Sequence, residues 1–203
     1  MKKTKLSILF LILPFITFTS AFAQSFNDGV NLISVGFGLP PGQKIKSDFD
    51  SNYKNYIDYK LKNYGTGVLK YEHGLSKYFG LGANFEYSGT SVSFKYDDAN
   101  TLRYERQIRS NVFGFYARLN GHFPIGNKVD IYGGIGLGYL YTVDTYNDTN
   151  PNPGTNMQKK QTVLDFDYQA TFGVRFMVKE NMGLFFEAGW ATTPVQVGMV
   201  FKF

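Results

Sequence analysis

The chain holds 203 residues, with a formal charge of +5, 18% aromatic residues, 22 glycines and no cysteine. Without Cys there are no disulfides, thiolate metal sites, Cys nucleophiles or lipid-modified N-terminal Cys, and the length fits one domain. No apolar run reaches the roughly 18 to 20 residues of a membrane-spanning helix, and a Gly- and aromatic-rich composition excludes a helical bundle built on Leu, Ala, Glu and Lys.

The chain opens on Lys2, Lys3 and Lys5, followed by an apolar run from Leu6 to Phe18 and then Ala21-Phe22-Ala23. A cationic start, a short apolar stretch and a small-x-small triplet predict a signal peptide over residues 1–23, cleaved after Ala23 to leave Gln24 first. An uncleaved helical anchor fits less well, because the run is short and Pro14 interrupts it. Of the 21 basic residues, 18 then remain against 16 acidic ones. They form no cluster of the kind that binds nucleic acid.

Residues 24–203 alternate with period two in segments of about ten residues. In chain order, Ile33, Val35, Phe37 and Leu39 share one face opposite Ser34, Gly36 and Gly38. Leu69, Tyr71 and His73 oppose Lys70 and Glu72, and Leu81, Ala83, Phe85 and Tyr87 oppose Gly82, Asn84, Glu86 and Ser88. Phe113, Phe115, Ala117, Leu119 and Phe123 oppose Gly114, Tyr116, Arg118, Asn120 and His122. Ile131, Ile135, Leu137, Tyr139 and Tyr141 oppose Asp130, Gly134, Gly136 and Gly138. The run from Leu164 to Phe176 sets Phe166, Tyr168 and Phe172 against Asp165, Asp167, Gln169 and Arg175. Leu184, Phe186 and Trp190 oppose Glu187 and Gly189, and Val195, Val197, Met199, Phe201 and Phe203 oppose Gln196, Gly198 and Lys202. These segments predict eight strands of an all-β, antiparallel up-and-down barrel.

Gly74 to Tyr78, Ile125 to Lys128 and Lys179 to Met182 read as short turns. Pro40 to Asn63, Gly89 to Arg109 and Val143 to Gln161 read as long loops, and only the connection at Thr192-Thr193-Pro194 breaks the alternation. Short turns on one rim and long loops on the other predict a membrane barrel with periplasmic turns, extracellular loops and, from the even strand count, both termini periplasmic. A soluble barrel would instead turn its charged, glycine-rich face to water. A lipid-facing aromatic surface around a polar interior accounts better for both faces.

The last residues, Val197-Gly198-Met199-Val200-Phe201-Lys202-Phe203, form an alternating strand ending on Phe. Together with the eight-segment pattern and the leader, this resembles the small eight-stranded outer-membrane barrel family, the OmpA/OmpX-like transmembrane domain. The resemblance implies outer-membrane lipid as surroundings. It also implies recognition of Phe201 and Phe203 by the barrel-assembly machinery. OmpA itself continues into a peptidoglycan-binding domain; this sequence ends at the barrel, so no such role is expected.

Lys70, Glu72, Glu86, Arg118, Asp165, Asp167, Arg175, Glu187 and Lys202 fall on the inward parity, five acids against four bases. An eight-stranded barrel is narrow enough for side chains to fill, and buried charges need partners. The near-balance predicts a salt-bridge and hydrogen-bond network that plugs the lumen, with inward glycines making room for long side chains. A narrow pore is the alternative, with Gly134, Gly136 and Gly138 as its strip; a selective pore would favour one sign of charge.

No enzymatic chemistry is expected. His73 is placed on the lipid side and His122 inside, neither beside a Ser at nucleophile-base spacing. Asp48-Phe49-Asp50-Ser51-Asn52 begins like a calcium loop, but Tyr53 and Tyr59 occupy the positions needing Gly and Glu. Gly133-Gly134-Ile135-Gly136 lacks the following helix of a dinucleotide site. No metal or other cofactor is predicted. Tyr53, Tyr56 and Tyr59 in the first long loop are candidate surface contacts for an unidentified ligand.

Overall fold

The computed structural model describes residues 25–39, 51, 55–97, 102–150 and 160–203; the predicted leader, Tyr53 and the calcium-like start lie outside them, apart from Ser51. Eight strands close into one antiparallel barrel in chain order. They are β1 (Asn31–Leu39), β2 (Ile57–Gly74), β3 (Phe79–Asp97), β4 (Arg103–Ile125), β5 (Val129–Asp148), β6 (Lys160–Lys179), β7 (Met182–Trp190) and β8 (Val195–Lys202). Pairing of Leu32 with Lys202 through Leu39 with Val195 seals the barrel, so neither end strand is left with unpaired backbone groups.

The strands differ greatly in length. β7, β8 and β1 have 9, 8 and 9 residues, about 30 Å of strand at most, which when tilted matches an apolar band about 25 Å tall. β2 to β6 have 18 to 23 residues and run on past that band as a wing. Here the structure corrects the sequence reading. Most of residues 57–63, 89–97, 103–109, 143–148 and 160–161, expected as loop, is paired strand. The polar composition of these segments hid a second core, formed by Val92, Phe94 and Ile108 with Tyr59, Leu61, Tyr96 and Tyr146 packed on it.

Within the barrel the two faces follow the pleat. Ile135, Leu137, Tyr139 and Tyr141 on β5, Phe172 on β6 and Trp190 on β7 point outward and are exposed, as lipid contact demands. Asn84, Glu86, Arg118, Asn120, Gln169, Arg175 and Glu187 point inward and are buried.

On β2 the register shifts between Asn63 and Thr66, so that Tyr64 and Gly65 together oppose Gly89. Gly65 takes φ +78°, which glycine adopts without steric strain, and its N–H donates to Asn63 Oδ1 at 2.8 Å. This β-bulge exchanges the two faces of β2. Below it Thr66, Val68, Lys70 and Glu72 are buried; above it Tyr59 and Leu61 pack inward.

The segment ahead of β1 folds back into the barrel. Phe26 is wholly buried and joins Val30, Leu32, Met177 and Val200 in an apolar cluster that closes the short-turn end. Ser25 donates to the Val129 carbonyl at 2.8 Å.

Candidate functional site

Among the described residues the lumen gathers buried charged and polar side chains, and they are stacked in layers. Above the apolar stopper, His122 stacks on Phe26 with ring centroids 3.5 Å apart. His122 Nδ1 lies 2.9 Å from Asp130 Oδ2 and Nε2 lies 2.7 Å from Glu72 Oε1. Ionised carboxylates only accept, so with one on each side both ring nitrogens donate and the ring is an imidazolium. Arg175 bridges the same two acids, pairing with Glu72 and reaching Asp130 at 3.2 Å, while its guanidinium lies 4.1 Å from the Tyr132 ring centroid.

One step further along, Arg118 pairs with Glu187 at 2.8 Å and donates to Thr171 at 2.8 Å. Lys70 lies 2.8 Å from the same Glu187 oxygen, and Tyr132 donates to Glu187 at 3.0 Å. Asn120 donates to Glu72 at 2.7 Å and accepts from Arg118 at 3.3 Å, which ties the two layers together. Among the described residues the third layer contains no cation. Glu86 accepts from Asn84, Gln169, Thr193 and Gln196 at 2.7 to 3.3 Å. Lys70, Arg118, Arg175 and His122 thus stand against Glu72, Glu86, Asp130 and Glu187, all eight buried.

The inward glycines give these side chains their room. A Cβ on Gly136 would lie 3.2 Å from Arg118 Cγ, and one on Gly134 would lie 2.7 Å from Arg118 Nη2. A Cβ on Gly173 would meet the Tyr132 ring at 2.5 Å. The strip Gly134-Gly136 is therefore occupied by Arg118 and Asn120. The void bordered by Lys70, Glu72, Arg118, Arg175 and Glu187 measures about 10 Å³, barely the room of one water.

Three residues expected in the network lie outside it, and two that belong to it were left out. Asp165 is exposed, because it sits on β6 above the level where β7 ends. Lys202 is half-buried at the short-turn rim, with Glu180 as an electrostatic neighbour. Asp167 marks the upper mouth, where its carboxylate accepts from Tyr116 at 2.7 Å and Thr192 at 2.8 Å rather than from a cation. The omitted members are Asp130 and His122, which share the inward parity of Gly134 and Arg118. Parity was signal enough for both. Phe185, over which Lys70 lies at 5.1 Å, shares the inward parity of Glu187 but is apolar; Phe26 lies ahead of the first strand, where no alternation runs.

Other sequence candidates are placed as follows. His73 lies at the short-turn rim, its Nδ1 2.9 Å from Asn31 Oδ1. Phe201 is half-buried and Phe203 exposed, and the Phe203 backbone exchanges hydrogen bonds with Asn31. Tyr59 is not a free surface contact, since it packs on the wing core; Tyr56 is exposed and tilts against Phe94 at 4.6 Å. In the wing, Arg106 and Tyr96 both donate to Asp148, at 2.7 and 2.9 Å. At its edge the Lys95 ammonium donates to Asp58 at 2.7 Å and holds that carboxyl below its usual range. Among the described residues no group of three or more His, Asp and Glu is arranged to hold a metal ion.

A family model described as outer membrane protein beta-barrel domain matches residues 8–196. Among solved structures, OprG from Pseudomonas aeruginosa aligns with a TM-score of 0.48 at 14% identity, covering 89% of this chain and 99% of that one. Ail of Yersinia pestis, in complex with the heparin analogue sucrose octasulfate, aligns with a TM-score of 0.43 at 13% identity, over 87% and 99%. The N-terminal β-barrel domain of Pseudomonas aeruginosa OprF gives 0.41 at 11%, over 87% and 98%. No curated protein matches the sequence.

Proposed function

The chain belongs to the outer membrane protein beta-barrel domain family, and on that premise we propose that it is a closed, non-enzymatic barrel. It anchors a rigid wing at the cell surface, contributing to envelope integrity or surface interaction. The carrying observation is the lumen. Four cationic and four acidic side chains are buried together, the void bordered by five of them is about 10 Å³, and an apolar stopper lies beneath. Arg118 and Asn120 cover Gly134 and Gly136, two of the three glycines that motivated a pore, which supports the closed reading over the channel.

The wing is extracellular and the short turns and both termini are periplasmic in this reading, as in barrels with one short-turned rim. Cleavage after Ala23 leaves Phe26 near the free end, able to enter the lumen. Phe201, on the final strand, and Phe203, just after it, are the assembly signal. Planar-bilayer recording of the refolded protein tests the closed lumen. The expected trace stays at the baseline, and Arg118→Ala opens measurable ion flow. Steady conductance by the unaltered protein would refute the proposal. Membrane fractionation with N-terminal sequencing tests the location and the Gln24 start; a soluble periplasmic protein or an intact Met1 contradicts them.

A further inference from the structure

On the outer wall, the apolar band ends between Tyr87 and Ser91 on β3 and between Phe113 and Arg109 on β4. A groove of about 500 Å³ lies at that level, within the size range of ligand pockets. Its floor is Gly89, and Tyr64 and Tyr87 stand beside it, 65% and 42% exposed. Tyr64 is there because the bulge turns it outward; Tyr87 is held by its hydroxyl, which donates to Asn111 Oδ1 at 3.0 Å.

Above the tyrosines, Lys62, Ser91 and Arg109 lie side by side in register on three strands. Among the described residues neither Lys62 nor Arg109 is paired with a carboxylate, whereas Lys95 and Arg103 on the same face are paired with Asp58 and Asp97. Below the groove the wall is aromatic, with Phe85 and Phe115 in a tilted pair at 5.0 Å.

From bottom to top the wall therefore presents hydrocarbon, two flat faces with hydroxyls, and two cations that no described carboxylate pairs with. We propose that this groove binds the phosphorylated sugar headgroup of an outer-leaflet glycolipid. Its phosphate accepts charge-assisted hydrogen bonds from Lys62 and Arg109. The sugar lies against Tyr64 and Tyr87, and the acyl chains descend over Phe85 and Phe115. A plain phospholipid offers the phosphate without the sugar that fills the groove. The assignment rests on the wing being extracellular, as proposed above.

The test is native mass spectrometry of the refolded full barrel. It is titrated with bisphosphorylated lipid A, with dephosphorylated lipid A, with phosphatidylglycerol and with inorganic phosphate. Heat-modifiable gel mobility confirms that each variant is folded. Bisphosphorylated lipid A is expected to bind saturably. The double variant Lys62→Gln/Arg109→Gln weakens it about tenfold or more, and Lys77→Gln, in a turn at the opposite rim, leaves it unchanged. Gly89→Leu fills the groove with both cations intact; a Cβ there meets its neighbours at an ordinary 3.6 to 3.7 Å. It is expected to abolish binding.

Equal retention by the double variant overturns the site. Equal binding of phosphatidylglycerol or dephosphorylated lipid A overturns the ligand class. Displacement by millimolar inorganic phosphate alone assigns the groove to free phosphate and equally overturns the proposal. Binding in detergent does not depend on orientation in the cell. Surface biotinylation of Lys60 or Lys160 on intact cells reads that orientation separately, so the two failures are distinguishable.

Discussion

The barrel and the wing are made of the same strands, yet they are built inside out relative to one another. On β3, Leu81 and Tyr87 face outward in the barrel while Asn84 and Glu86 face in; higher up, Ser93 and Lys95 are on the outer face while Val92 and Phe94 are buried within. β4 repeats this, with Phe115 and Leu119 outward against Arg118 inward, then Arg109 outward against Ile108 inward. The pleat continues unbroken through the change, so the solvent is what differs. Lipid takes the apolar face in one half and water takes the polar face in the other. One strand can satisfy both regimes if its pattern shifts phase at the boundary. β2 shifts its backbone there as well, through the Tyr64-Gly65 bulge.

The two halves should therefore respond differently to the same kind of substitution. The largest effect is expected inside the barrel. Arg118→Met leaves the buried Glu187 with Lys70 as its remaining cationic partner and should destabilise the barrel by roughly 3 to 5 kcal/mol, measured by urea titration in lipid vesicles. Adding Glu187→Gln should cost less than the sum of the two single changes. Additive costs would mean that the pair is not coupled.

Outward positions come next. Arg at Phe172, on the lipid face, should cost roughly 2 to 4 kcal/mol. Arg at Thr162, on the same outward parity of β6 but above the apolar band, should leave the unfolding midpoint in place. Equal costs at both would erase the boundary drawn here.

In the wing, Phe94→Ala removes a fully packed ring, but the cavity lies outside the barrel. The expected result is local opening. Protease should cut the wing while the barrel remains intact and its midpoint moves by under about 1 kcal/mol. Loss of barrel and wing together would show that they fold as one unit. The smallest effect is expected for Lys95→Ala. Its pairing with Asp58 is solvent-exposed, and such pairs are screened and weak; neither unfolding nor proteolysis should change measurably.

Much of the barrel could be read from the chain. Period-two alternation from Ile33 to Phe203 encodes face and strand number directly, because a pleat places every second side chain on one side. Arg118, Arg175, Glu72 and Glu187 could be assigned to the lumen for the same reason. Height was less legible. Asp165 has the correct parity but lies above the last residue of β7, and only the lengths of the neighbouring strands decide that its side is open. The wing was read as loop because its alternation runs with the opposite sense, and Lys60, Lys62 and Lys95 resemble a solvated connection.

The sequence by itself determined an eight-stranded barrel with an aromatic exterior and a charged interior, since both follow from local periodicity. Which charges meet was decided by tertiary structure. Glu72 and Arg175 are 103 positions apart, and their meeting depends on strand stagger and on closure between β1 and β8, which no local pattern carries. The same holds for Phe26, whose stopper role exists only because the closed barrel leaves an apolar mouth that a single ring beside His122 can fill.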